Sequence, residues 1–533
     1  MRCNPMFVFV FFFFSSLQSP ANCQPHGKGE GLGYITFPTS CAPTVQESFV
    51  KAVTLLHSFE YEEAEKAFVE ISRRDTQCGM AYWGTAMSLY HPLWDRPDAT
   101  TLKKGEAALE KARSLKSSPR ERDYIAALAS FYDGENPNYL ARVIAYSKAM
   151  RTLYLRYPRD REASAFYALS LLGAAQSQDN NSSYREKAAT ILERLFVEAP
   201  NHPGVAHYLI HAYDTPSFAA RGLRPARHYA AMAPPFSHAL HMPSHIFTRL
   251  GLWDESIESN LASAAAARNA SEMPMGMASD ELHAMDYLLY AYLQSGRETE
   301  AESIVEKAKN MHVSDTDKLG SGELAYALAE FPARYAIELR NWPAAASLVL
   351  PANVNAITYW ARAIGEARSG NITGAHADLR QLDAISTTLA DHRQFVPIIE
   401  IYRLEAGSWL AHAEGNDRFS LRLMLSAVNL EDKKGLWGLA IPAREMLAAL
   451  LFELGDWKQS LAEYERSLRS APNRFNGLFG AARAAEFAGS VRKAAFYYSK
   501  LLKICDGGTH SNRPEIRQAK AFLGLSRVEI GDG

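Results

Sequence analysis

The residues best suited to chemistry in this sequence are histidines. Of 16 in the 533-residue chain, seven fall within the 44 positions from His202 to His245. They are also ordered. His207 and His211 lie four apart in His207-Tyr208-Leu209-Ile210-His211, so on a helix both imidazoles leave one face, with Asp214 joining them at i+7. His241 and His245 repeat that spacing in the next segment, and His238 stands one turn before His241. A third segment supplies Glu281, His283, Asp286 and Tyr287. Two such pairs on neighbouring helices would place the imidazoles of His207, His211, His241 and His245 around one cation. His283 or Asp286 would then add a further ligand or an outer partner. Imidazole-rich sites suit copper, iron, zinc and nickel, and no cysteine lies near enough to make a thiolate site. Such a metal would activate water or dioxygen, or polarise a carbonyl, while Asp214 or Asp286 orients a ligand imidazole or acts as a base. Pro243 introduces one geometric question. It disfavours helical geometry at Met242 and can begin a helix, which would leave His241 on the preceding loop.

The elements that must position these groups are helical almost throughout. The chain is rich in Ala and Leu, with few alternating β-branched runs. Breaks fall at Gly251, Gly296, Gly370, Gly455 and Gly489, each placed as a helix end, a tight turn and the start of the next helix. Gly455 and Gly489 are 34 residues apart, and around them Leu447, Gly455, Tyr464 and Pro472, then Gly489, Ala494 and Tyr498, fall on the positions of a repeated helical pair. Ala64, Ala67 and Phe68, with Tyr82-Trp83-Gly84 after them, carry the same small-and-aromatic pattern near the N-terminus. Small residues let paired helices approach, and the aromatic rings fill the space between successive pairs.

On these residues the chain resembles the tetratricopeptide-repeat (TPR) superfamily over about residues 45–530. The resemblance implies an all-α fold, a right-handed superhelical solenoid of TPR-like helix–turn–helix repeats. In place of several domains, about a dozen helix pairs would form one continuous stack. The first helices of successive repeats would line a concave groove, bringing the histidines of adjacent first helices together. Cys78-Gly79-Met80-Ala81-Tyr82-Trp83-Gly84 and His241-Met242-Pro243-Ser244-His245-Ile246-Phe247-Thr248-Arg249-Leu250-Gly251 further resemble a group of uncharacterised, His-rich TPR proteins, often bacterial, to which no established activity attaches. The expected organisation is a leader over 1–23, an extended Gly- and Pro-rich lead-in over 24–44, repeats over 45–510, and a capping helix and tail over 511–533.

The leader has the order of a secretory signal: Arg2, then the apolar run Phe7 to Phe14, then small and polar residues to Cys23. No later segment reaches the roughly 18 uninterrupted apolar residues of a spanning helix. The expected mature protein is therefore secreted or periplasmic, with no membrane attachment after cleavage. In an oxidising compartment Cys41 and Cys78 would pair, because both precede or begin helices expected to be neighbours; two buried free thiols are the alternative. In a eukaryotic host the triplets starting at Asn180, Asn181, Asn269 and Asn371 would be glycosylation acceptors.

Composition narrows the remaining functions. Hydrophobic residues make up 47% and charged residues 22%, as in folded soluble proteins. With 57 basic against 59 acidic side chains there is no global attraction for nucleic acid, and no basic stripe accompanies the aromatics, so a nucleic-acid partner is not expected. No phosphate loop, nucleophile elbow or HExxH motif occurs. Two functions remain, with metal capture or delivery without turnover as a third that shares the same ligands. One is a metal-dependent enzyme, oxidative or hydrolytic, acting on a small molecule or peptide held in the groove. The other is a non-catalytic scaffold binding a peptide or protein partner. His57 and His91, at early helix ends, are expected to cap or pack, and Tyr167, Tyr208, Tyr287 and Tyr290 to serve mainly as core.

Overall fold

The computed structural model describes residues 33–93, 96–133, 138–177, 182–232, 236–270, 277–313, 317–350, 356–388, 396–435 and 439–530. The leader, the start of the lead-in and the triplets at Asn180 and Asn181 lie outside them. The described residues belong to one compact unit, Gly31–Gly533, and contain helices and no strands. None of these helices is long and apolar enough to cross a membrane.

The architecture is the right-handed superhelical solenoid expected, and the local rules explain why. All five anticipated break glycines hold a positive φ, from 64° at Gly251 to 85° at Gly370. The pair Ala443–Glu453 and Trp457–Ser470 is followed by the pair Phe475–Phe487 and Val491–Ile504. Between the two, Tyr464 lies against Gly480 where any Cβ would collide with its ring. Phe68 packs on Gly84 in the same way near the N-terminus. The last helix, Pro514–Ile530, closes the stack by burying Ile516 and Ala519.

Alternate helices lie side by side along the stack, and this brings the histidine-bearing segments together. Pro203–Tyr213 touches Pro243–Leu250, and Met277–Gln294 touches both Ser237–His241 and Pro243–Leu250. The superhelix also closes on itself twice. At the first closure Pro203–Tyr213 meets the first helix, Pro43–His57, and Tyr34 N–H donates to the Asn201 carbonyl at 3.1 Å. Gly204 permits this contact, since a Cβ there would lie 2.5 Å from Nδ1 of His57. At the second, Trp253 Nε1 donates to the Asn473 carbonyl at 2.8 Å and Asn473 Nδ2 to the Gly251 carbonyl at 3.0 Å.

The part of the lead-in that is described is extended but not loose. Phe37 is buried among Phe49, Trp83 and Tyr124, with ring centroids 5.1–5.7 Å away. Cys41 and Cys78 form a disulfide that joins this segment to the start of Gly79–Ser88.

Candidate metal centre

The six imidazoles gather as two triads. His207, His211 and His238 form one, and His241, His245 and His283 the other; within each, three ring nitrogens lie within 4.8 Å of one another. The expected single group of four is thus divided by helix, and His238 completes the first triad. Met242 keeps helical angles (φ −51°, ψ −40°) between Ser237–His241 and Pro243–Leu250. Pro243 begins the second of these helices, where its fixed φ suits the helical path. The two short helices therefore run on as one, so His241 and His245 stay on one face, their Nε2 atoms 3.0 Å apart.

Three of the six imidazoles, His207, His241 and His245, are oriented from behind. In the first, His207 is fully buried and its Nδ1–H donates to the His57 carbonyl at 2.7 Å. Its Nε2 is then a lone pair, and both His211 Nε2 (3.1 Å) and His238 Nε2 (3.2 Å) point at it. In the second, His241 Nδ1–H donates to Asn260 Oδ1 at 2.6 Å, and Asn260 is held that way round by its own Nδ2 bond to the Ser256 carbonyl. His245 Nδ1–H donates to Asp214 Oδ2 at 2.9 Å, with the Tyr287 hydroxyl 3.2 Å from the same nitrogen. Both Nε2 atoms of that pair are therefore acceptors facing each other.

Two bare lone pairs at 3.0 Å repel unless a proton or a metal ion stands between them. Burial drives the pKa of His241 well below its usual value, reinforced by His283 and His245, so this ring enters the pair neutral and with its Nε2 lone pair free to bind. Burial likewise lowers His207 to about 3, and it lowers His211 and His238 well below the ordinary imidazole range. His283 reaches groove water on one side, but the protein around it desolvates the ring and lowers it to about 4. Neutral, inward-aimed Nε2 atoms with committed Nδ1–H groups are what a metal ligand set requires.

Packing reinforces the arrangement. Phe59 stacks on His211 and His238 and touches His207, with centroids 4.4–5.6 Å away. It does so from a left-handed backbone (φ 62°) just past the helix ending at His57. Glycine usually takes that position, and a phenylalanine there costs about 1–2 kcal/mol. Strain of this kind collects at functional sites. Tyr287 plays the equivalent part in the second triad, 4.7–5.4 Å from its three rings.

The two aspartates singled out from the sequence have separate surroundings. Asp214 bridges His245 and Arg249. Burial works against its charge, but Arg249 and then His245 outweigh it and hold the pKa well below the carboxylate range. Asp286 is ion-paired with the buried Arg334, and Glu281 turns to Arg268 and Lys307 instead of the triads. Tyr167, Tyr208, Tyr287 and Tyr290 are all buried.

Behind the first triad lies a layer that the sequence did not reveal. His57 is fully buried; its Nε2 contacts Glu162 at 2.8 Å and its Nδ1 accepts from the Tyr208 hydroxyl at 2.8 Å. His202 contacts the other Glu162 oxygen at 3.0 Å. Burial opposes the Glu162 charge, yet His202 and His57 hold its pKa far below the usual value. Both Glu162 oxygens and both His57 nitrogens are engaged within this group, which holds the ring next to the His57 carbonyl in place. No local pattern marks it, because its hydrogen-bonded partners lie 40 to 151 residues apart.

No protein-family model and no curated protein matches the chain. Among solved structures it is similar to a human IFIT1 dimer with m7Gppp-AAAA (13% identity, TM-score 0.37), covering 88% of this chain and 91% of that one. It is also similar to Naa15/Naa10 bound to HypK-THB (13% identity, TM-score 0.25), covering 90% and 91%. Both likenesses concern the helical solenoid alone.

Proposed function

We propose that this is an exported solenoid protein that holds a transition metal (copper, iron or zinc) through its clustered histidines on the concave face. A small molecule or peptide entering the groove would meet the metal there, for oxidative or hydrolytic chemistry. The observation that carries this reading is the 3.0 Å approach of His241 Nε2 to His245 Nε2 with both Nδ1–H groups already committed. A purely structural cluster would direct donors at acceptors. Asp214 orients the His245 imidazole, and Asp286 acts only if it leaves Arg334. The Cys41–Cys78 disulfide supports export, because such bonds persist in oxidising compartments. Exposed Asn269 and Asn371 would carry glycans in a eukaryotic host.

A second function, a scaffold for a peptide or protein partner, draws support from a cleft of about 120 Å³ in the C-terminal half. There Arg368 lies between the rings of Trp342 and Trp409, 5.3 and 4.6 Å from their centroids. Elemental analysis separates the two. Protein expressed with its leader and purified without chelator should carry near-stoichiometric metal that a His207→Ala/His245→Ala double variant lacks. A metal-free parent, even after reconstitution, leaves the scaffold.

A further inference from the structure

We infer, resting on the metal reading above, that the two triads hold a pair of copper ions that bind dioxygen between them. Adjacency is the first argument. His238 of one triad and His241 of the other lie three residues apart on Ser237–His241, a spacing that sets Cβ atoms about 5–6 Å apart. A second link runs through Asp214, three residues beyond His211, whose carboxylate holds His245 of the opposite triad. Ions seated in the two nests are therefore close neighbours.

Ligand chemistry is the second argument. Both nests consist of imidazole alone. The nearby carboxylates are engaged elsewhere, Asp214 with Arg249 and Asp286 with Arg334. Sites for paired iron or manganese are built on several carboxylates, and hard cations favour oxygen ligands. Copper suits imidazole and stands highest in affinity among the divalent ions of its row.

Charge is the third. Two divalent ions on six imidazoles would place four positive charges in a partly buried site whose nearest carboxylates, Asp214 and Asp286, are already balanced by Arg249 and Arg334, an arrangement that burial penalises. Two copper(I) ions halve that charge. Dioxygen then fits the electrical demand of oxidation: each copper gives one electron, and O2 takes both to become a bridging peroxide dianion. The O–O double bond falls to a single bond without being cleaved, no proton is needed, and the net charge of the site is unchanged. Phe59 and Tyr287 wall the two nests with aromatic surface, and His283 faces the groove from which a gas or small anion would arrive.

The test uses the full chain, stripped of metal and reloaded with copper(I) without air. The expected result is two coppers per chain and, on admitting dioxygen, an intense near-ultraviolet charge-transfer band with no copper(II) electron paramagnetic resonance signal, because the two spins couple through the bridge. His283→Ala, at the groove side of one nest, should hold one copper that oxidises to one full spin per chain. His211→Ala should do the same from the other nest, with unchanged circular dichroism in both. Two coppers that oxidise to two independent spins would overturn the pair while leaving the metal reading intact. So would zinc that copper cannot displace. A parent that retains no metal of any kind would overturn both.

Discussion

Two buried polar clusters sit where the superhelix closes on itself, and they are built on opposite principles. At the C-terminal closure Arg474, 1% exposed, donates to Glu445 at 2.8 and 3.0 Å, to Glu338 at 2.8 Å and to the Tyr290 hydroxyl at 2.7 Å. Gln294 and Asn476 supply further donors to Glu338 at 3.0 Å each. Every donor there meets an acceptor. Beside the N-terminal closure His241 and His245, each with its Nδ1 engaged, bring their Nε2 atoms to 3.0 Å of each other. Burying a polar group without a partner costs about 1–3 kcal/mol. The facing Nε2 atoms of His241 and His245 are the feature on which the proposed metal site rests.

The contrast can be broken most severely at the paired end. Arg474→Met should destabilise the protein by about 3–5 kcal/mol, because Glu338 and Glu445 lose the cation that compensates them. Denaturant unfolding would read this, while metal content per folded chain should stay that of the parent. If metal content falls in step with stability, the two closures are one cooperative unit and the distinction fails.

A smaller effect is expected behind the imidazoles. Asn260→Ala removes the acceptor that fixes His241 with its lone pair inward. Outer partners of this kind govern affinity by about 10–100-fold. Competition against a chelator of known affinity would measure the loss. An unchanged affinity would mean that His241 is oriented by packing alone.

The smallest effect tests whether an unbalanced buried charge elsewhere behaves as this account requires. Burial raises Glu431 to about 7, against two opposing bonds from Ala443 N–H and with Asp432 adding to the rise. Its folded pKa lies above the unfolded value, so the folded state binds the extra proton. Stability should therefore fall as pH rises from about 4.5 through 7 and level off above. Glu431→Gln should remove that slope and add about 1–3 kcal/mol at pH 8 with none at pH 5, read from paired thermal melts. A parallel pH profile in the variant would show that the carboxylate is not the cause.

Much of this organisation was legible in the sequence. The break glycines, the Tyr464 and Phe68 positions, the Cys41–Cys78 bond and the i,i+4 histidine pairs all rest on local rules that spacing exposes. The division into two triads was not legible. It depends on Met242 staying helical beside Pro243, which moves His238 toward His207 and leaves His241 to His283. The layer formed by His57, Glu162, His202 and Tyr208 was also hidden. Those residues come from turns of the superhelix remote in sequence, and a solenoid's closure distances follow from many small rotations. Phe59 is the one overlooked residue with a local trace: a bulky side chain where a helix end usually takes glycine.

The central claim is that imidazole nitrogens, three to an ion, hold the metal. X-ray absorption fine structure of the loaded protein tests it most directly. The expected spectrum shows about three nitrogen neighbours per metal with the scattering pattern of imidazole rings, unchanged when Asp286→Asn is introduced. A first shell dominated by oxygen, or one that loses a ligand in Asp286→Asn, would contradict it.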